Sequence, residues 1–221
     1  MAYGAMLNTT SGHVWVTPQS TPISLKSRKV VELQGVQGFH TTVTETFDSG
    51  EPMIAFVHTT IGVRISQKIS GNSIIVDFLW PDNYGVATVY FFTIFQQVAP
   101  RYGLAVWDEN GKLVLTNETK TLTDVIRIGN QGDPGTSGYN ANALIGGRYA
   151  CVPSMQGLIT GVIGSGQPRP YSAVYFSIAL QEGGATRIRA RPETQPGGGL
   201  TNINYHNMVN QIVAIETSKY D

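Results

Sequence analysis

The ten residues Val86-Ala87-Thr88-Val89-Tyr90-Phe91-Phe92-Thr93-Ile94-Phe95 form the longest apolar stretch of the chain. β-Branched and aromatic side chains dominate it, and these residue types favour strands. Because the stretch does not alternate between apolar and polar residues, it predicts a central strand that is buried on both faces. It is too short, and too rich in Thr and Tyr, to span a membrane as a helix.

Further strand candidates extend from this stretch in both directions and are separated by Gly, Pro and Asn. They cover residues 5–7, 13–17, 30–33, 39–47, 53–58, 61–67, 73–79, 104–107, 113–116, 125–128, 149–152, 158–163, 173–180, 186–191 and 211–216. No window of twelve or more residues has a helical apolar period, and the best helix candidate is a short turn at residues 202–207.

Many short strands at near-regular spacing predict an all-β fold, an antiparallel β-sandwich. The chain of 221 residues is long enough for one large or two small domains. We therefore expect either one large sandwich, with the two halves intertwined in a single domain, or two joined sandwich-like halves at residues 1–99 and 100–221.

Charged residues are scarce and balanced. They make up 14% of the chain, against about a quarter in typical proteins, and the formal net charge is zero. A nucleic-acid-binding protein normally carries an excess of basic residues, so this composition disfavours such a partner. A surface with little self-repulsion suits a subunit of an assembly.

The first six residues, Met1-Ala2-Tyr3-Gly4-Ala5-Met6, lack the basic and apolar regions of a signal peptide. We expect synthesis in the cytoplasm without membrane insertion. Assembly, rather than secretion, would then bring the protein outside a cell.

An internal repeat is the sharpest feature of the sequence. Residues 3–17 align without a gap with residues 102–116: Tyr-Gly opens both copies, Thr closes both, and Gly12 and Gly111 occupy the same turn position. Three apolar pairs also match, namely Leu7 with Val106, Val14 with Leu113 and Val16 with Leu115. Each copy predicts a β-hairpin with a glycine turn. The alternative is a chance similarity between two hairpins, and the copies could serve one sandwich or two.

Two glycine-rich stretches predict loops. Residues 129–138 have Gly at every third position, which is the spacing of a collagen helix. Three triplets are too few for a stable triple helix, so a mobile loop is the favoured interpretation; the collagen register, if real, would point to a trimer. Residues 192–200 contain Gly197-Gly198-Gly199 and predict a flexible connection or a contact loop.

Catalytic and metal-binding patterns are absent from the sequence. Ser165 lies in Gly164-Ser165-Gly166, which lacks the spacing of a nucleophile elbow. Cys151, the single cysteine, lies between apolar neighbours in a predicted strand, which indicates a buried, inert thiol. The histidines have no metal-ligand spacing: His13, His40, His58 and His206. We therefore predict no catalytic, cofactor or metal site, and no enzymatic activity.

Asp77 and Asp82 flank Trp80-Pro81, an acid-aromatic pattern of the kind that binds sugars. The alternative, which we favour from the sequence, is a core tryptophan near a turn. Three arginines alternate along one predicted strand: Arg187, Arg189 and Arg191. They predict a basic stripe for an anionic partner, a solvated strand face, or a face paired with acidic residues of a neighbouring subunit.

The second hairpin, residues 102–115, resembles a pattern of small tail proteins of tailed bacteriophages and prophages. That pattern is Tyr-Gly-Leu, a β arm, an Asn/Asp-x-x-Gly turn and an apolar arm, and such proteins often open with a similar Tyr-Gly element, as Tyr3-Gly4 does here. Family members often carry Asp-Ser after the second arm, whereas this chain has Thr116-Asn117. The resemblance covers the two hairpins alone.

The resemblance implies a structural virion protein of the tail tip, baseplate or tail fiber complex. Such a protein would form a homo-oligomer, a trimer or a ring, around the tail axis and would bind other tail proteins. The alternative is a receptor- or carbohydrate-binding tail protein that contacts the host surface through residues 129–138 and 164–171. A polysaccharide depolymerase would need paired carboxylates on a concave face, and the sequence shows no such pair.

Overall fold

A computed structural model describes residues 7–8, 14–16, 21–164, 167–193 and 199–221, which are mostly β-strand. The strands are β1 (Leu7–Asn8), β2 (Val14–Val16), β3 (Ser24–Leu33), β4 (His40–Thr46), β5 (Met53–Thr59), β6 (Arg64–Ser70), β7 (Ser73–Leu79), β8 (Gly85–Thr93), β9 (Ala105–Trp107), β10 (Leu113–Thr116), β11 (Ile126–Ile128), β12 (Asn142–Gly146), β13 (Tyr149–Cys151), β14 (Met155–Ile163), β15 (Arg169–Glu182), β16 (Ala185–Pro192), β17 (Leu200–Asn207) and β18 (Ile212–Glu216). A single 3-10 turn, Gly138–Asn140, is the only helical element in these ranges. The predicted all-β class is confirmed.

Strands β5 and β8 lie at the centre of the fold. They pair antiparallel along their whole lengths, and β3 pairs with the other edge of β8. Successive side chains of a strand point to opposite faces. Val89 and Phe91 accordingly pack into one core, whereas Tyr90 and Phe92 pack into another. The predicted burial on both faces is confirmed, although β8 ends at Thr93, before Ile94 and Phe95.

The sheet β4–β7–β6 covers one face of these central strands. Ile74, Val76 and Phe78 alternate along β7 and are all buried. They share one apolar core with Ala55 and Val57 of β5 and with residues of β8. This packing of two antiparallel layers is a β-sandwich.

Aromatic side chains fill the core on the opposite face. Phe56 and Phe92 meet edge to face, with ring centroids 5.6 Å apart, and Tyr220 packs against Phe92 at 5.0 Å in the same manner. Ala150 of β13 and Ile215 of β18 complete this core. The edge-to-face arrangement matches the quadrupoles of the rings.

The later strands form two groups that meet at β5. One group is β11–β18–β13, and the other is β17–β14–β15–β16–β12. Residue pairs Cys151↔Val57 and Leu180↔Thr59 connect both groups to β5, so eleven of the described strands belong to one continuous, curled sheet. A third core lies between these groups, and Ile178 of β15 packs into the first core. The boundary at residue 99 stays a prediction.

The sequence repeat is also a structural repeat. Strands β1 and β2 pair antiparallel through Leu7↔Val16 and Asn8↔Val14. Strands β9 and β10 pair through Val106↔Leu115 and Trp107↔Leu113, which are the aligned positions. Both ladders contain a register irregularity at the same place. The two predicted hairpins are thus confirmed and share one register.

The helical turn predicted at residues 202–207 is wrong. This segment belongs to strand β17, which pairs antiparallel with β14 from Leu200↔Ile163 to Asn207↔Gly157. Asparagine-rich sequences have low intrinsic β-propensity, but cross-strand pairing overrides that weak preference. Strand β12, which we did not predict, forms in the same way by pairing with β16.

The glycine-rich stretch 129–138 is a hydrogen-bonded loop and not a collagen-like segment. Asp133 accepts hydrogen bonds from the Gly135 amide at 2.9 Å and the Thr136 hydroxyl at 2.8 Å. Asn207 donates to the carbonyl oxygens of Pro134 and Ser137, both at 3.2 Å, and so ties the loop to β17. A collagen strand has no internal hydrogen bonds. Residues 194–198 of the second glycine-rich stretch lie outside the described residues.

A buried histidine predicts a pH-dependent stability. His58 on β5 is buried, and its Nδ1–H donates to the Tyr149 carbonyl oxygen at 2.8 Å. Burial lowers the pKa of His58 below its ordinary value, and the nearby Arg148 adds to this effect. The unfolded chain, with a histidine pKa of about 6.5, therefore binds a proton more readily than the folded protein does, and folding stability falls as the pH drops below that value.

We expect urea unfolding to show a free energy of unfolding that declines as the pH falls below about 6.5. The decline should be smaller in His58→Gln, which keeps a hydrogen-bond donor but does not titrate. His206→Gln on the exposed strand β17 is the control and should keep the wild-type slope. An unchanged pH slope in His58→Gln would contradict the assignment.

Candidate functional site

The three described histidines lie on three different strands. His40 and His206 are exposed on β4 and β17, and His58 is buried. Ser165 and His13 lie outside the described ranges. Within them, no three His, Cys, Asp or Glu side chains are placed to hold a metal ion, and no helix is long and apolar enough to cross a membrane.

The densest cluster of ionisable groups surrounds Asp221. Its Oδ1 accepts from the Tyr90 hydroxyl at 2.6 Å and from Arg28 Nε at 3.0 Å, and its Oδ2 accepts from Arg148 at 3.0 Å. Burial alone would raise the pKa of Asp221, but the Tyr90 hydroxyl and the two arginines outweigh it and lower the pKa. Arg148 also donates to Thr88 on β8. This network ties strands β3 and β8 to Asp221.

The two carboxylates that flank Trp80 do not form one cluster. Asp77 pairs with His40 at 3.3 Å and Lys68 at 3.6 Å, whereas Asp82 receives a hydrogen bond from Arg191 at 2.6 Å. The two carboxylates therefore serve different contacts. Trp80 is 46% exposed, so the expectation of a core tryptophan is wrong.

The arginine stripe on β16 is largely neutralised within the chain. Arg187 Nε donates to both carboxylate oxygens of Glu182, at 2.7 and 2.8 Å, and Arg191 binds Asp82. The Nε atom of Arg189 is buried without a hydrogen-bond partner. Because two of the three charges are balanced by neighbours, the stripe offers little to an anionic partner.

A surface that we did not identify from the sequence is formed by β14, β17 and residues 169–175 of β15. We call this three-stranded surface the blade. Arg169 is the only charged residue in it. Among the strands that the structure describes, β17 pairs with β14 alone, and its residues 201–206 are exposed.

The edge of the blade lacks the charged side chains that edge strands β3, β4 and β6 carry. Strand β3, also an edge of its sheet, carries four charged side chains: Lys26, Arg28, Lys29 and Glu32. Edge strands β4 and β6 carry charges as well. Strand β17 has none and exposes Ile203 and Tyr205, although a register irregularity at Asn202 (φ +51°) interrupts its regular pairing. Charged residues commonly prevent edges from pairing with other chains.

Tyrosines cover one face of the blade. The Tyr139 ring lies 5.5 Å from that of Tyr175 and 6.1 Å from that of Tyr205. Gly157 permits this arrangement, because a Cβ atom there would lie 2.7 Å from the Tyr139 ring. Burial, followed by the neighbouring tyrosines, raises the pKa of Tyr175, so this side chain stays uncharged at neutral pH.

Comparison of the chain with protein-family models, with curated proteins and with solved structures found no match. One signal in the sequence could have indicated the blade. Residues 155–163 and 200–207 are free of Lys, Arg, Asp and Glu, which is unusual for strands that meet solvent.

The single cysteine predicts a simple chemical test. Cys151 is buried between two apolar cores, and burial raises its pKa to about 12. The thiolate is the reactive form, so we expect no reaction of the folded protein with a thiol reagent near neutral pH. Stoichiometric labelling should follow unfolding in guanidinium chloride. Rapid labelling of the folded protein would contradict the burial of Cys151.

Proposed function

We propose that the protein is a non-enzymatic structural component of a tailed-phage virion that assembles with copies of itself through the blade. The observation that carries this proposal is the uncharged edge strand β17, which is exposed and which, among the described residues, is paired along one side only. Natural proteins cover or charge such edges. A neighbouring copy would supply a cover that none of the described strands provides.

The chemistry of the blade suits a protein–protein contact. Cores of interfaces are depleted in charged residues and enriched in tyrosine. The blade has one charged residue, Arg169, and its tyrosine cluster includes the exposed Tyr205. Burying this surface against another copy removes apolar area from water with Arg169 as the one ionic group to be desolvated.

The second hairpin offers a different contact surface. Strand β10 is buried, whereas Leu104 and Trp107 of the β9 arm are more than half exposed, as is Tyr102. Aromatic side chains exposed in one short segment commonly mark a binding site. We propose that this arm binds other tail proteins.

The assignment to a phage tail is supported by the resemblance of the two hairpins, which also share one register. A homo-oligomer around the tail axis, as a trimer or a ring, would place the blades of neighbouring copies against each other. A closed ring or trimer repeats one contact in every subunit.

Light scattering coupled to size-exclusion chromatography tests the assembly. We expect the wild type to elute as an oligomer, and Ile203→Lys or Tyr205→Lys to shift it toward the monomer, because a buried lysine charge opposes association. Ile69→Lys is the matched control: Ile69 is 65% exposed on β6, which belongs to a different sheet from the blade, and the variant should keep the wild-type mass. A wild-type monomer at high concentration would overturn the proposed assembly.

The virion assignment has its own test. Mass spectrometry of purified tails from the phage or prophage that encodes the chain should detect it at a constant ratio to other tail proteins. Tails without the chain would refute the virion assignment and leave the assembly result unaffected.

A further inference from the structure

We propose that residues 80–84, which connect β7 to β8, form a binding site for an uncharged saccharide with Trp80 as its stacking platform. This inference goes beyond the assembly role, because it gives the protein a ligand of its own. The segment reads Trp80-Pro81-Asp82-Asn83-Tyr84. Three observations carry the proposal: the backbone conformation of Trp80, the fixed position of its ring, and the polar groups around it.

The backbone of Trp80 is in the left-handed region, with φ at +50°. A bulky L-residue adopts this conformation at a cost in free energy, whereas glycine adopts it readily. Burial of the Trp80 ring in the core does not offset this free-energy cost, because the residue is 46% exposed. A strained conformation that displays a large aromatic ring at the surface is characteristic of functional sites.

Neighbouring groups hold the ring in place. The Arg64 guanidinium lies 5.3 Å from the centroid of the Trp80 ring and is itself ion-paired with Glu193. The Trp80 amide donates to the Phe39 carbonyl oxygen at 3.3 Å, and Pro81 is buried behind it. Arg64 thus occupies one side of the ring while much of the residue faces solvent. A ring ordered in advance loses less entropy when a ligand binds.

The rest of the segment is also fixed to the body. The Asp82 amide donates to the Gly62 carbonyl oxygen at 2.8 Å. Gly35 packs so closely on the backbone of Asn83 that a Cβ atom there would lie 2.6 Å from the Asn83 Cα. These contacts place the segment on a rigid support, as a binding site requires.

The groups around Trp80 match the chemistry of a sugar. A pyranose ring has a face of C–H groups that packs on the negative face of an aromatic ring, and hydroxyls that bind carboxylates and amides. Tyr84 is 67% exposed and borders an open groove of about 410 Å³ that Glu32 and Gln34 also line. Asp82 and Asn83 are exposed between the two aromatic residues.

The same groups argue for a ligand without charge. Arg64 and Arg191, the cations nearest the segment, are paired with Glu193 and Asp82. The groove beside Tyr84 contains Glu32 and no cation among its lining residues. A nucleic acid or another polyanion would meet carboxylates here and few free positive charges.

Binding to immobilised polysaccharides tests the site. The probes are purified neutral polysaccharides (a panel of glucans, mannans and galactans), with free hexoses as competitors that distinguish recognition of single sugar units from recognition of a polymer. We expect the wild type to bind at least one polysaccharide. Trp80→Gly and Tyr84→Ala should each weaken that binding about tenfold or more, as removal of an aromatic anchor does.

Trp80→Gly is the informative variant because glycine removes the ring and relieves the left-handed strain together. We expect it to keep the wild-type circular dichroism spectrum and to melt close to the wild type. Trp107→Ala removes a tryptophan that is 56% exposed on β9, and this variant should bind as the wild type does. If Trp80→Gly failed to fold, Tyr84→Ala would decide the question.

Absence of binding to every polysaccharide of the panel, or an equal loss in Trp107→Ala, would overturn the proposal. The blade variant Tyr205→Lys separates this result from the assembly role. Tyr205→Lys should shift from oligomer toward monomer. Its saccharide affinity per subunit, measured with a monovalent oligosaccharide, should equal that of the wild type. If Tyr205→Lys lost saccharide binding together with oligomerisation, that result would also refute the assignment of the site to residues 80–84.

Discussion

The fold depends on the burial of β5 and β8 on both faces. Tyr90, Phe91 and Phe92 are consecutive and all fully buried. Because side chains alternate along a strand, successive rings must pack into cores on opposite faces of β8. Removing any one of these rings would cost about 3–5 kcal/mol, as large-to-small changes in cores do. Two layers are needed to cover such a strand. The sheet β4–β7–β6 supplies one, and β13, β18 and Tyr220 supply the other.

This constraint also explains why residues far apart in the chain depend on each other. The layer from the first half covers one face of β8, and the layer from the second half covers the other. Asp221 reinforces the second layer by accepting hydrogen bonds from Tyr90 and Arg28. A charge-assisted network of this kind is stable because every charge has a partner.

The few charged residues of the chain are concentrated on particular strands and are almost absent from the blade. Lysines and arginines mark the edge strand β3, and ion pairs occupy the ends of β16. The blade is almost without charge and keeps its tyrosines at the surface. The protein therefore has a charged, protected edge at β3 and an uncharged, unprotected edge at β17. The unprotected edge suits a contact between subunits.

Composition and pattern were sufficient to predict the strands, the two hairpins and the burial of Cys151, because these depend on side-chain periodicity and local turn chemistry. The positions of Trp80 and of residues 202–207 were not predictable in this way. Whether Trp80 enters a core depends on the left-handed turn after β7 and on the contact with Arg64, which β6 supplies. Residues 202–207 become a strand only because β14 pairs with them. Local sequence determines the preference of a segment, whereas its partners in space determine which face is buried and which surface remains for function.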